Sequence, residues 1–332
     1  MNVSDTASKK IQILRALAII AVVIMHTLPF GEIKIFIKPF FTFAVAMFIF
    51  LSGLLTSIDV NDVAKFYKKR ITRVLIPYII WTLVYSISYW IFGHPKDTLF
   101  HRIFFNLFTA TAEGPFYYIF VYIQLVLITP LLKPLFNSKY KYFGLFVSPI
   151  ASILMLYMPC ILFHHWSFWT THPCFIWFSF YYLGLLISNN KIEIKLDSLK
   201  WCYYLGLICL QMSEGYIIYK LGGSFRSSGT LIKITSLLTS TYACLLGYKY
   251  IINSNYTNNL INKVLVDVGN YSFGIYLLHM LVLNSLSTFR VLRYNAIPFP
   301  FYSVCIILIT YVIVLITSKV CGKKLSKYLG FI

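Results

Sequence analysis

IQILRALAIIAVVIMHTLPF, residues 11–30, decides the class of fold. Apart from Gln12, Arg15, His26 and Thr27 it is apolar or small, and it is apolar all round rather than along one stripe. A helix of about 20 such residues spans the hydrocarbon core of a bilayer. The stretch is longer than the apolar core of a typical signal peptide and has no small-residue cleavage site. It also holds an arginine and a histidine, which a disposable leader has no reason to carry. It is therefore read as a retained membrane span.

Working outward, the same kind of run recurs. The chain of 332 residues is 59% hydrophobic and only 12% charged, with a mean hydropathy of +0.75. Soluble domains carry about 25% charged residues. Backbone polar groups in lipid must be satisfied internally, so only helices and closed barrels cross a membrane. A barrel would show alternating segments of about 10 residues, and the sequence has none. The reading is an all-α, polytopic membrane helix bundle forming one domain over residues 1–332. Ten spans are expected, at 11–30, 36–57, 74–93, 116–135, 142–163, 172–189, 200–219, 229–252, 271–289 and 300–321. The stretch TLFHRIFFNLFTATA, residues 98–112, is too polar for a span and is read as an interfacial or re-entrant helix.

Lysine and arginine set the orientation, because short cytoplasmic loops carry the excess. With the N-terminus inside, 20 of the 29 fall on the cytoplasmic side and nine outside. Both termini are therefore placed in the cytoplasm. A net charge of +19 would suggest nucleic acid in a soluble protein. Here positive-inside loops facing anionic membrane lipid account for it, and no nucleic-acid partner is expected. The seven cysteines form no CxxC pair and fit no zinc spacing. The outer loop with His164, His165, Trp166 and His172 supplies no carboxylate and no histidine pair on one helix face, so no metal is expected.

Ionisable residues inside spans are costly and mark function. Arg15 and His26 are eleven positions apart, about 20° from alignment on one helix face and roughly 16 Å apart along it. An arginine near the inner surface grips a phosphate with its planar fork. A histidine of near-neutral pKa takes a proton from a hydroxyl, and burial would keep it neutral. Alternatively Arg15 snorkels to headgroups and His26 bonds a neighbouring helix. In KFYKKRITRVLIPY, residues 65–78, Arg70 and Arg73 lie one turn apart beside Phe66 and Tyr67, suited to an anionic cofactor at the membrane surface. Lys68 and Lys69 read as an ordinary basic anchor. Ser52 and Gly53 interrupt an apolar helix, and close helix packing is the plainer explanation. Glu113 precedes Gly114 and Pro115 at an outer mouth, where aromatic faces with a carboxylate suit carbohydrate. His279 shares its helix with Tyr271, Ser272 and Tyr276, either as a satisfied interhelical histidine or as a substrate contact. Glu214, an outer-third carboxylate, is equally open.

Taken together, four segments resemble the acyltransferase family 3 membrane proteins. They are LRALAIIAVVIMH (14–26), MFIFLSGLLT (47–56) followed by FYKKRITRVLIPY (66–78), FYYIFVYIQLVLITPLL (116–132) and YSFGIYLLH (271–279). They stand in the family's order. The resemblance implies about ten spans and transfer of an acyl group, usually acetyl from acetyl-CoA, to a hydroxyl of a cell-surface or lipid-linked glycan. It implies that His26 is catalytic and Arg15 its partner. Arg70 and Arg73 match the arginines of the family's inner loop after the second span and, with Arg15, are expected to bind the acyl-CoA donor. Glu113 and His279 are expected to meet the acceptor on the strength of their own setting, not of the family pattern. Where many members carry a His-x-Trp-Phe-like sequence before the fourth span, this chain has Glu113-Gly-Pro-Phe-Tyr-Tyr. The family also holds members proposed to export polysaccharide, and the runner-up is an exporter or flippase of a polysaccharide or lipid-linked sugar. Broken half-helices and paired repeats would favour transport, and the sequence shows neither. The composition, rich in lysine and tyrosine, fits a low-GC bacterial source, which places the protein in a bacterial plasma membrane.

The orientation is directly testable. A fluorescent protein fused after Ile332 should fold and fluoresce in the cytoplasm, and an alkaline phosphatase fused there should be inactive. Active phosphatase at that end would invert the topology.

Overall fold

The computed structural model of the chain describes residues 4–29, 31–93, 97–163, 171–221, 228–288 and 298–332. Among them every regular element is helical. In chain order the principal helices are α1 (Asp5–Thr27), α2 (Phe43–Leu54), α3 (Val63–Phe92), α4 (Leu99–Thr109), α5 (Tyr117–Ile128), α6 (Phe175–Ser188), α7 (Trp201–Lys220), α8 (Ile234–Asn253), α9 (Leu260–Asn270), α10 (Ser272–Thr288), α11 (Phe301–Val320) and α12 (Gly322–Tyr328). Between α5 and α6, residues 143–157 form a short apolar helix that ends in a π turn, Ile153–Tyr157.

The all-α membrane class holds, but ten spans are more than helix length and composition support. Among the described residues five helices are long and apolar enough to cross a membrane: Asp5–Thr27, Ile33–Leu54, Val63–Phe92, Gly114–Phe136 and Phe301–Val320. The number is six if the bent pair Leu260–Asn270 and Ser272–Ser287 is one span. The shortfall has a physical reason. Helix α6 has 14 residues, about 21 Å of rise, less than the roughly 30 Å of a hydrocarbon core. Its residues from Ile176 to Ile187 are all buried, so its apolarity serves a protein core. Helices α7 and α8 are long enough but carry a polar seam that dilutes their hydropathy.

The chain divides into two compact units, each assembled from early and late segments. Unit 1 holds residues 1–59 and 129–269, and unit 2 holds residues 60–128 and 270–332.

Unit 1 is organised on α2, against which α1, α6 and α8 pack. Its closest approach is to α6. A Cβ on Gly53 would lie 2.1 Å from the Tyr181 carbonyl oxygen, and one on Gly184 would lie 2.3 Å from the Phe50 carbonyl oxygen. Only hydrogen fits at either place. The neighbouring Ser52 hydroxyl donates to the Phe48 carbonyl 2.8 Å away in its own helix. The Ser52–Gly53 pair therefore serves close packing, as its small size suggests. The polar seam between α7 and α8 is satisfied in pairs. Gln211 Nε2 donates to Ser236 Oγ at 2.9 Å, and buried Lys233 donates to the carbonyl oxygens of Ser228 at 2.6 Å and Gln211 at 3.4 Å. The hydroxyls of Tyr157 and Thr235 both donate to the Glu214 carboxylate. Glu214 is thus tied into the bundle. At the other end of α8, Lys10 of α1 donates to the carbonyl oxygens of Ile251 and Ser254, capping that helix's last turn.

Unit 2 is built on α3, with α4, α5, α10 and α12 packed against it and α11 against α10. Tyr85 fastens α3 to α10: its hydroxyl donates to the Leu277 carbonyl at 2.8 Å and accepts from Leu281 N–H at 2.9 Å. Trp81 Nε1 donates to the Leu329 carbonyl at 3.0 Å, which holds the C-terminal turn. Segment 98–112 is an amphipathic helix, α4. Phe100, Phe104 and Phe108 are exposed on one face, 79%, 56% and 66% respectively. Asn106 on the other face is buried and donates to Ser86 of α3 at 3.0 Å. That is the pattern of an interfacial helix.

The α2–α6 crossing generates a stability prediction. Gly53→Ala or Gly184→Ala must separate two backbones and should cost about 1–3 kcal/mol or more, read as a lower unfolding midpoint in detergent. Gly206→Ala, where a Cβ meets nothing within 4 Å, is the control and should leave the midpoint in place. Unchanged midpoints for both α2–α6 variants would contradict this packing.

Candidate functional site

In unit 1, α1 carries Arg15 and His26. Its start is fixed by Ser4, whose side chain accepts from Ala7 N–H at 3.2 Å. Between Lys10 and Thr27 the residues that are not buried are Gln12, Arg15, Leu17, Ile20, Ile24 and His26. At about 100° per residue, Gln12, Arg15 and His26 fall within roughly 60° of one another, while the three aliphatic positions fall to one side. Arg15 Nη1 donates to Gln12 Oε1 at 3.5 Å. Gln12 is in turn located by α9: a Cβ on Gly269 would lie 2.0 Å from the Gln12 carbonyl oxygen. His26 stands in the last turn of α1 and is exposed. Burial, expected as the means of keeping it neutral, is therefore absent. Alanine and valine neighbours pack inward on the opposite side and leave the imidazole outside the core.

In unit 2, the basic run lies on the first turns of α3. Asp62 caps that helix, accepting from Lys65 N–H at 2.9 Å. Arg70 is half-buried, with its guanidinium 5.6 Å from the Phe66 ring centroid. Arg73, one turn on, is exposed. The neighbouring Tyr67 hydroxyl donates to the Leu127 carbonyl of α5 at 2.7 Å. One arginine is thus held against an aromatic face and the other is presented to solvent.

Glu113 sits before the turn Gly114–Phe116, which leads into α5. Its Oε1 accepts from Gly114 N–H at 3.1 Å and its Oε2 from Asn284 Nδ2 of α10 at 3.1 Å. This draws Asn284 of α10 to the start of α5 and frames a cleft of ≈ 320 Å³. Tyr85, Ser88 and Tyr89 of α3 and Asn284 and Ser285 of α10 line it together with Glu113. His279, five positions before Asn284 on the same helix, is wholly buried, and its Nδ1 is bonded to the carbonyls of Ile275 at 3.1 Å and Tyr276 at 2.8 Å. It is not among the residues that line the cleft.

Glu113 is legible in the sequence, whereas Asn284, Tyr85 and Tyr89 join it only through the fold. The available signals were an amide inside an apolar span and two tyrosines four residues apart, which share a helix face. His164, His165 and Trp166, weighed as metal ligands, lie outside the described residues.

Burial holds the Glu113 carboxyl above its ordinary range, against the opposing pull of the Gly114 N–H and the Asn284 amide. The folded chain therefore binds this proton more tightly than the unfolded chain does. The resulting stability is fully present below the ordinary carboxylate pKa and is lost as pH rises through the raised one. Glu113→Gln has no such proton to lose. Its unfolding midpoint relative to wild type should rise as pH increases across that range. A difference that does not vary with pH would contradict the buried setting.

The comparisons with known proteins agree with the sequence motifs. The family model described as an acyltransferase domain matches residues 8–319. Among curated proteins, the chain is similar to the "Probable poly-beta-1,6-N-acetyl-D-glucosamine export protein" of Staphylococcus aureus strain MRSA252. It is 26% identical over 269 residues, covering 76% of this chain and 73% of the relative. The protein of the same name from strain N315 matches with the same identity and coverage. No solved structure matches. The family match spans nearly the whole length of the chain, and the chain belongs to the acyltransferase 3 family.

Proposed function

We propose that the protein is a membrane-embedded O-acyltransferase that moves an acetyl group from acetyl-CoA to a hydroxyl of a cell-surface or lipid-linked glycan. The observation that carries this reading is the family match over residues 8–319, joined to an exposed His26 in line with Arg15 on α1. In the same reading the protein crosses a bacterial plasma membrane ten times, with both termini in the cytoplasm. The shorter and less apolar helices then count as spans shielded by their neighbours.

The donor is anionic and does not cross a bilayer. Its phosphates are assigned to Arg70 and Arg73, at the cytoplasmic start of α3, and to Arg15. An arginine fork matches phosphate geometry. Exposed Arg73 is free to reach a ligand, and Arg70 is pre-oriented by Phe66. In the transfer itself, the sugar hydroxyl oxygen attacks the thioester carbonyl carbon. The new C–O bond forms as the C–S bond breaks. His26 takes the hydroxyl proton as general base and gives it to the departing CoA sulfur. No oxidant or metal enters this balance. Glu113 is assigned to the acceptor. His279 is assigned to the same region through its hold on α10, whose Asn284 meets Glu113.

A second reading, export of a polysaccharide or lipid-linked sugar, is favoured by the printed name of the Staphylococcus aureus relatives. The two readings differ in whether a covalent bond to the glycan is made.

Two substitutions test the transferase. His26→Ala should abolish acetyl transfer from radiolabelled acetyl-CoA to glycan in isolated membranes, while expression and the unfolding midpoint stay near wild type. Transfer at near-normal rates would remove His26 from the chemistry. Arg70→Ala should raise the KM for acetyl-CoA by roughly tenfold, the loss of one charge-assisted contact, with a smaller change in kcat. An unchanged KM would remove Arg70 from donor binding.

A further inference from the structure

The cleft in unit 2 has a composition that narrows its ligand. Its volume of ≈ 320 Å³ lies at the low end of small-molecule sites, which run from about 300 to 1,000 Å³. It suits a ring or a pair of rings rather than a lipid tail. Its polar groups point to a ligand rich in hydroxyls. Each Glu113 oxygen accepts one hydrogen bond from the protein, and a carboxylate oxygen has a second lone pair to offer. The serine hydroxyls of residues 88 and 285 add donors and acceptors on both walls.

The aromatic wall is fixed in place. Tyr89 is 53% exposed, yet its ring is clamped: the Arg102 guanidinium carbon of α4 stands 4.2 Å from the ring centroid. Arg102 is itself held by Asp97 at 2.5 Å. This ion pair keeps the Asp97 carboxyl below its ordinary range. A cation over the face of a ring is attracted to it and restrains it. The C–H face of a pyranose carries a weak positive charge and complements the electron-rich face of such a ring.

The charge of the lining is one-sided. Among the described residues, Glu113 is the one carboxylate that lines the cleft, and no lysine, arginine or histidine does. A ligand carboxylate there would meet the like charge of Glu113, which is costly in a partly desolvated site. We propose that this cleft binds one pyranose unit of the acceptor, stacked on Tyr89 and hydrogen-bonded to Glu113 and Asn284, and selects sugars that are neutral or amine-bearing over uronic acids. The proposal rests on the reading of the protein as a glycan acyltransferase, and it adds the class of acceptor.

Equilibrium binding separates the two claims, because it needs no CoA. The full chain is reconstituted in nanodiscs of zwitterionic lipid. Saturation-transfer NMR and calorimetry are run with an N-acetylhexosamine disaccharide and with a disaccharide containing a hexuronic acid. The wild type should bind the neutral sugar roughly tenfold or more tightly than the uronate, a difference on the scale of one charged hydrogen bond. Glu113→Gln should weaken the neutral sugar and bring the two affinities together. Tyr89→Ala should weaken it by about fivefold or more, while Tyr89→Phe, which keeps the ring, should stay within about twofold. Equal affinity of the wild type for both sugars would overturn the selectivity. Binding that neither Glu113→Gln nor Tyr89→Ala alters would overturn the site. Sugar binding as described, in a protein that transfers no acetyl group, would leave the site standing and sink only the transferase reading.

Discussion

The contact on which unit 1 depends is the crossing of two backbones at Gly53 and Gly184. Neither residue has room for a methyl group, so α2 and α6 meet at a separation that only glycine allows. In a bilayer no hydrophobic force draws helices together, because lipid tails are as apolar as the side chains. Close packing and hydrogen bonds must supply the cohesion. The crossing supplies both. It brings Tyr181 of α6 to a position where its hydroxyl meets Thr129 at 2.8 Å, and it makes α2 a fixed surface against which α1 packs. The aligned positions of Arg15 and His26 therefore rest on a helix held by packing rather than by its own propensity. A second close approach, Gly269 against the carbonyl of Gln12, pins the same helix one turn before Arg15.

Unit 2 uses a different device. Its helices are fastened by side-chain hydroxyls and amides that reach across to backbone carbonyls. Tyr85 joins α3 to α10, Tyr276 of α10 donates to the Pro115 carbonyl at 2.6 Å, and Tyr78 of α3 donates to the carbonyls of Asn106 and Leu107. Each such bond is worth only about 1 kcal/mol net in water, but each also leaves no bare polar group in an apolar setting. The consequence is a cleft at the end of the unit whose polar groups are partly satisfied and partly available. That combination is the usual basis of recognition in small-molecule sites.

Hydropathy made the class of the fold legible, because a helix that faces lipid must be apolar along its whole length. The family was legible from short ordered motifs, and the amphipathic character of α4 from its mixture of phenylalanines with His101, Arg102 and Asn106. Of the ten expected spans, helix length and composition support five or six among the described residues. Helix α6 is short and buried in protein, and α7 and α8 carry a polar seam through residues such as Gln211 and Ser236; single-helix hydropathy does not separate packing against protein from packing against lipid. The face shared by Arg15 and His26 followed from helical geometry. The exposure of His26 did not, since it depends on what packs beside the end of α1. The cleft was half legible. Glu113 announced itself as a carboxylate beside aromatic residues, but its partner Asn284 is 171 positions away, and no local pattern carries that pairing.

Covalent modification is the central claim of the proposed function, and it is what distinguishes a transferase from an exporter. The most direct measurement is the acetyl content and the surface amount of the cognate glycan, in cells supplied with labelled acetate, with and without the gene. The account predicts that loss of the protein removes the ester-linked label while the amount of glycan at the surface is retained. Glycan that keeps its label but accumulates inside the cell would contradict the account and establish export in its place.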